Sequence, residues 1–151
     1  MIYIIIGILV LIADFISKMM VSHNMNLYEK IEIIDGVFSL TYIRNKGMAW
    51  GMLQNQRWLF ITATVVVVAF IIVLAVKYGK VHPTLNLGMS LTVSGAVGNL
   101  IDRIFYPEGV IDFLCAEFID FPIFNIADIA VCTGAGLIMI YIIFFEKKKE
   151  S

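Results

Sequence analysis

Charged side chains are scarce in this chain, making up 15% of its 151 residues against about 25% in an ordinary soluble domain. With 60% of the residues hydrophobic and a mean hydropathy of +0.91, the shortage excludes a well-solvated globule. A core this small has no room for so many apolar side chains, so lipid must face many of them. Long basic tracts are missing too, and the formal net charge of −1 argues against nucleic acid as a partner. Two cysteines make no disulfide framework. Cys132 reads as a small core residue in an apolar run, Cys115 falls in a connecting segment, and no bridge between them is expected. Only two histidines are present, His23 and His82, and they stand too far apart to found a metal cluster.

What the chain has in their place is apolar length. Four runs stand out against the roughly 20 residues that cross a bilayer: about 2–21, 58–77, 85–103 and 122–145. They predict an all-α membrane protein, a four-transmembrane-helix bundle in one domain over 1–151, with outer segments at about 22–57 and 104–121. Met1–Ala13 has the apolar character of a signal-peptide core but lacks a basic start and a small-x-small cleavage site, so it reads as a retained first helix. The third run is the most polar. Its Gly88, Ser94, Gly95, Ala96 and Gly98 allow close helix approach and place it inside the bundle.

An even number of spans puts both termini on one side, with Lys77 and Lys80 in a short turn and Lys147, Lys148 and Lys149 in the tail. Positive charge marks that side as cytoplasmic. The first outer segment carries strand signals: alternation in Lys30-Ile31-Glu32-Ile33, a turn at Asp35-Gly36, and β-branched and aromatic residues over Val37–Ile43. A small β-hairpin or sheet platform on the outer membrane face follows, packed on helix ends because a lone hairpin is marginal in water.

Four carboxylates sit in or beside the apolar runs: Asp14, Asp102, Asp112 and Asp128. Each costs roughly 2.5–3.5 kcal/mol to insert at the centre of a span, so the chain is expected to use them. Asp14 and Lys18 stand one turn apart and can pair, either as an ion pair snorkelling near the outer helix end or as part of a binding site. Asn99, Asp102 and Arg103 close the third run, with Asp102 a brace and partner for Arg103, or Arg103 a fork of donors for a substrate carbonyl. Asn125 and Asp128 repeat a three-residue spacing at the start of the fourth. Asn45 and Gly47 open a polar turn that ends on Trp50, an interface anchor. Two carboxylates held close together share one proton and can activate water without metal or covalent intermediate. Spacing alone leaves Asp102 open as a member of such a pair.

Taken in order, Asp14-Phe-Ile-Ser-Lys18, Asn45-Lys-Gly-Met-Ala-Trp50, Gly95-Ala-Val-Gly-Asn-Leu-Ile-Asp-Arg103, Val110-Ile-Asp-Phe113 and Phe124-Asn-Ile-Ala-Asp128 resemble the five motifs of lipoprotein signal peptidase (signal peptidase II), the bacterial membrane aspartic endopeptidase. The resemblance covers nearly the whole chain. It implies catalytic residues at Asp112 and Asp128, with Asn45, Gly47, Asn99, Asp102, Arg103 and Asn125 lining the substrate groove or bracing the pair. Asp14 and Lys18 fall at supporting positions. It implies no cofactor and a diacylglyceryl-modified prolipoprotein as substrate, cut just before its lipidated cysteine. It also implies inhibition by the cyclic peptide globomycin and a multi-pass site in the bacterial cytoplasmic membrane with the active site outward. A monomer in contact with membrane lipid is expected.

Two other classes fit parts of the pattern. A magnesium-dependent lipid-headgroup enzyme would gather Asp102, Asp112 and Asp128 around one ion. A small ion-coupled carrier would spread its acids through the membrane depth.

Overall fold

Small residues decide which helix stands in the middle. The computed structural model describes residues 1–47, 52–78 and 82–146, and its elements run α1 (Ile2–Asn24), β1 (Lys30–Ile34), β2 (Phe38–Asn45), α2 (Arg57–Tyr78), α3 (Pro83–Phe105), β3 (Val110–Ala116) and α4 (Ile126–Phe144). Helix α3, the most polar, is central: α1, α2 and α4 all pack on it. Its contact with α4 is close enough that a Cβ on Gly134 would stand 2.6 Å from the carbonyl oxygen of Gly88. Only a pair of glycines fits there.

By length and hydropathy α1, α2 and α4 qualify to cross a membrane. Helix α3 is as long, but its Gly, Ser, Thr and Asn lower its hydropathy. The outward surface of α2 is almost wholly apolar, with Ile71 its one buried residue. Such a helix needs lipid around it.

The predicted hairpin forms β1 and β2, and the second outer segment, expected only as a connection, adds β3. The three strands make an antiparallel sheet in the order β1-β2-β3. The sheet rests on the end of α1 through Val21, Met25, Tyr42, Ile111 and Phe113, with Leu40, Leu114 and Ile126 around them. A third strand and a helix end give the hairpin the apolar cover it lacked.

Three expectations are corrected. The fourth helix starts at Ile126, not Pro122, because Phe124 bridges to Leu114 of β3 and Asn125 caps the helix. Cys132 is exposed, not a core residue: α4 turns Ala127, Ala130, Gly134 and Tyr141 inward. Cys132, two residues past Ala130, falls about 200° round the helix. Cys115 lies within β3, not in a connection. Of the expected motif and basic set, residues 48–51 with Trp50, and Lys80, Lys147, Lys148 and Lys149, lie outside the described residues.

Candidate active site

The polar side chains of four elements meet where the sheet covers the helix ends. Asp112 sits mid-strand in β3 and is 2% exposed. Its two oxygens accept from Asn45 Nδ2 at the end of β2 (2.9 Å) and from Asn125 Nδ2 (2.7 Å). Asp128 is the third residue of α4. It accepts from Asn99 Nδ2 (2.7 Å) and, through its other oxygen, from the backbone N–H of Asn125 (3.1 Å).

Asn125 is the hinge of this arrangement. Its side chain accepts from the Asp128 amide while Asp128 accepts from its own, a capping box that satisfies two of the helix's orphan donors. The other end of the same amide reaches Asp112. One fully buried side chain therefore sets the distance between the two carboxylates. Burial pushes the Asp112 carboxyl up to about 7, and the charge of Asp128 pushes the same way. Hydrogen bonds from Asn45 and Asn125 and the charge of Lys18 oppose it.

A second layer lies behind. Lys18 Nζ touches Asp14 Oδ2 (2.8 Å), Asp102 Oδ2 (2.9 Å) and Asn99 Oδ1 (3.0 Å), one acceptor for each ammonium proton. The snorkelling alternative is thereby overturned, since Lys18 is 3% exposed. Nor does Asp102 pair with its neighbour Arg103; it faces Lys18. Each outer carboxylate also holds a backbone amide next to a member of the front pair: Asp14 accepts from Ala127 N (2.8 Å) and Asp102 from Ile111 N (3.2 Å). Gly98 makes room for this, because a Cβ there would stand 2.6 Å from Asp14 Oδ2.

Arg103 turns the other way. Its guanidinium donates to the carbonyls of Asn99 (3.3 Å) and Gly47 (3.5 Å) and lies over the Phe60 ring at 5.1 Å. The Gly47 amide donates to Asn45 Oδ1 (2.9 Å), which orients the Asn45 amide toward Asp112. All ten site residues read from the sequence thus fall into one connected network.

Arg57 was not anticipated. It donates to the last-turn carbonyls of α3, Arg103 O (2.5 Å) and Ile104 O (2.7 Å). No local sequence signal joins it to a helix end so distant in the chain. The capping box did carry a signal, Asn125-Ile-Ala-Asp128 ahead of an apolar run.

The front pair has the parts for acid and base work on water: two carboxylates, one poised near neutrality, with every donor around them supplied by amides. Asp102 accepts from both Lys18 and Ile111 N through one oxygen, Oδ2. Among the described residues, no three His, Cys, Asp or Glu side chains are gathered in a way that could hold a metal.

Residues 6–144 match the family model described as signal peptidase (SPase) II. A bacterial membrane enzyme solved by the in meso method at 2.3 Å resolution is 32% identical. It aligns with a TM-score of 0.91 over 99% of this chain and 92% of its own. A second such structure, at 1.9 Å resolution, is 31% identical with a TM-score of 0.86, over 95% of this chain and 93% of its own.

Proposed function

This chain belongs to the signal peptidase II family, the lipoprotein signal peptidases, and from that premise we propose that it is an aspartic endopeptidase whose catalytic pair is Asp112 and Asp128. The observation that carries this is the Asn125 bridge. One amide donates to the Asp112 carboxylate and accepts from the Asp128 backbone, tying the two residues together, and the Asp128 charge raises the Asp112 carboxyl, so the two titrate as a unit.

The ionised member takes a proton from water as the water oxygen adds to the scissile carbonyl carbon. The protonated member gives its proton to the carbonyl oxygen. The resulting gem-diol collapses: the C–N bond breaks, the amine nitrogen takes the proton just acquired, and a gem-diol hydroxyl returns one to the other carboxylate. The pair ends as it began, with one proton. Asn45 and Asn125 orient Asp112, Asn99 orients Asp128, and Gly47 turns Asn45. Asp14, Lys18 and Asp102 hold the backbone beneath, and Arg103 offers donors to a substrate carbonyl.

The substrate in this reading is a prolipoprotein with a diacylglyceryl-modified cysteine, cut on the amino side of that cysteine. Its apolar signal segment lies in the bilayer against the helix faces. Four spans in one domain over residues 1–151 follow from the four apolar runs, and the lysines of the 77–80 turn and of the tail put both termini on the cytoplasmic side and the sheet on the outer face. The enzyme is a monomer in the bacterial cytoplasmic membrane and is blocked by globomycin.

The test is processing of a diacylglyceryl-modified prolipoprotein in detergent by the parent, Asp112→Asn and Asp128→Asn, with and without EDTA. Cleavage by the parent despite chelator, and none by either folded variant, supports the pair. Cleavage by Asp112→Asn at the parent rate, or loss of parent activity to EDTA, would sink it.

A further inference from the structure

A cavity of about 260 Å³ opens beside the pair, lined by Asn45, Lys46, Arg57, Trp58, Arg103 and Tyr106 among others. Asn45 belongs to both places, since its amide also donates to Asp112. The lining holds three cations, and Arg44 adds a fourth behind the wall, over the Tyr106 ring at 4.8 Å. Among the described residues no Asp or Glu lines it.

Among the described residues no carboxylate forms an ion pair with Lys46, Arg57 or Arg103. Arg57 spends two of its donors on backbone carbonyls, as does Arg103. The shared negative charge of the pair lies nearest Arg103, so Lys46 and Arg57 supply the uncompensated positive field. Lys46 is exposed, and its carbonyl accepts from the Asn55 amide (3.2 Å). A concave site with one sign of charge concentrates the opposite sign.

An apolar signal segment has no use for such a chamber. On the α1 side the pair is closed off by the Asp14–Lys18–Asp102 cluster, so the polar chain leaving the scissile bond needs another exit. We propose that this chamber is the subsite for the residues that follow the lipidated cysteine, and that Lys46 and Arg57 select acidic side chains there.

The proposal rests on the peptidase reading and deepens it. The experiment uses three diacylglyceryl-modified substrates that differ only in carrying Asp, Ser or Lys directly after the cysteine. The kcat/KM of each is measured at low and high salt with the parent and with Lys46→Glu. The parent favours Asp over Lys by about fivefold, the size of an exposed ion-pair effect. Salt shrinks the ratio, and Lys46→Glu reverses it. Because the readout is a ratio within one enzyme, a variant of lowered activity still reports. Cleavage of the Ser substrate with equal kcat/KM for Asp and Lys overturns the subsite and leaves the peptidase standing. A ratio unmoved by Lys46→Glu does the same. Failure to cleave any of the three overturns the peptidase reading and this subsite with it.

Discussion

Asp14 accepts a hydrogen bond from the backbone amide of Ala127 at 2.8 Å, joining the first helix to the first turn of the last. The other oxygen of Asp14 is bonded to Lys18, and Lys18 to Asp102. Removing the cation leaves two buried carboxylates facing each other. Lys18→Met is therefore expected to destabilise the protein by about 3–5 kcal/mol, read as a fall in unfolding temperature in detergent. Neutralising all three residues together, Asp14→Asn with Lys18→Met and Asp102→Asn, recovers much of that loss. An unfolding temperature for Lys18→Met equal to the parent's would contradict the ionic role.

The raised Asp112 carboxyl fixes the sign of two pH effects. Its ordinary value is 3.8 and burial lifts it to about 7. Between those values the folded state holds a proton that the unfolded state has lost, so folding stability falls as pH rises through that window. Asp112→Asn removes this dependence and is expected to stabilise the protein more at neutral pH than at pH 4. In the proposed mechanism activity depends on the same proton, and kcat/KM is expected to decline on the alkaline side with an apparent pKa near 7 that belongs to the pair. A rate still climbing well above neutrality would show that no shared proton is needed.

Asn125 does two jobs that separate in experiment. Asn125→Ala loses a helix cap, about 1 kcal/mol, and a donor to Asp112. Activity is expected to drop by roughly 10²–10³-fold, the effect of deleting one preorganised donor, while the fold persists. Circular dichroism and an inhibitor-independent unfolding curve would check the fold, and the processing assay the rate. Activity within a few-fold of the parent would mean that Asn125 only starts the helix.

The α3–α4 contact has no slack. Gly134→Ala puts a methyl group 2.6 Å from both the Gly88 oxygen and the Thr92 amide nitrogen, and overpacking of this kind costs about 1–3 kcal/mol. Gly136, with nothing within 4 Å of an added Cβ, is the control: Gly136→Ala leaves the unfolding temperature unchanged or slightly raised. Equal behaviour of the two variants would remove the packing argument.

Much of this was legible in the sequence because lipid makes the code simple. Apolar runs of helix length gave the four helices, and β-branched alternation around Asp35-Gly36 gave the hairpin. Carboxylates in or beside such runs point to the candidate site, since a buried carboxylate needs a partner. What stayed hidden depended on contacts between distant segments. Val110–Ala116 reads as a short apolar stretch and becomes a strand because β2 offers it an edge. Cys132 lies in a mostly apolar run, yet in a membrane helix apolar neighbours do not say which face is turned outward. Lys18 could be paired with Asp14 by spacing, but its second and third acceptors come from α3, 81 residues on in the case of Asn99.

The order in which these parts are made has its own consequence. Lys18 and Asp14 leave the ribosome first, and Asn125 and Asp128 belong to the last helix. Until that helix is inserted the front pair has one member and no bridge, so on the proposed mechanism a nascent chain held at Phe121 does not yet cleave its substrate. On that mechanism biogenesis acts as a safety catch, released when α4 closes the circuit that α1 opened.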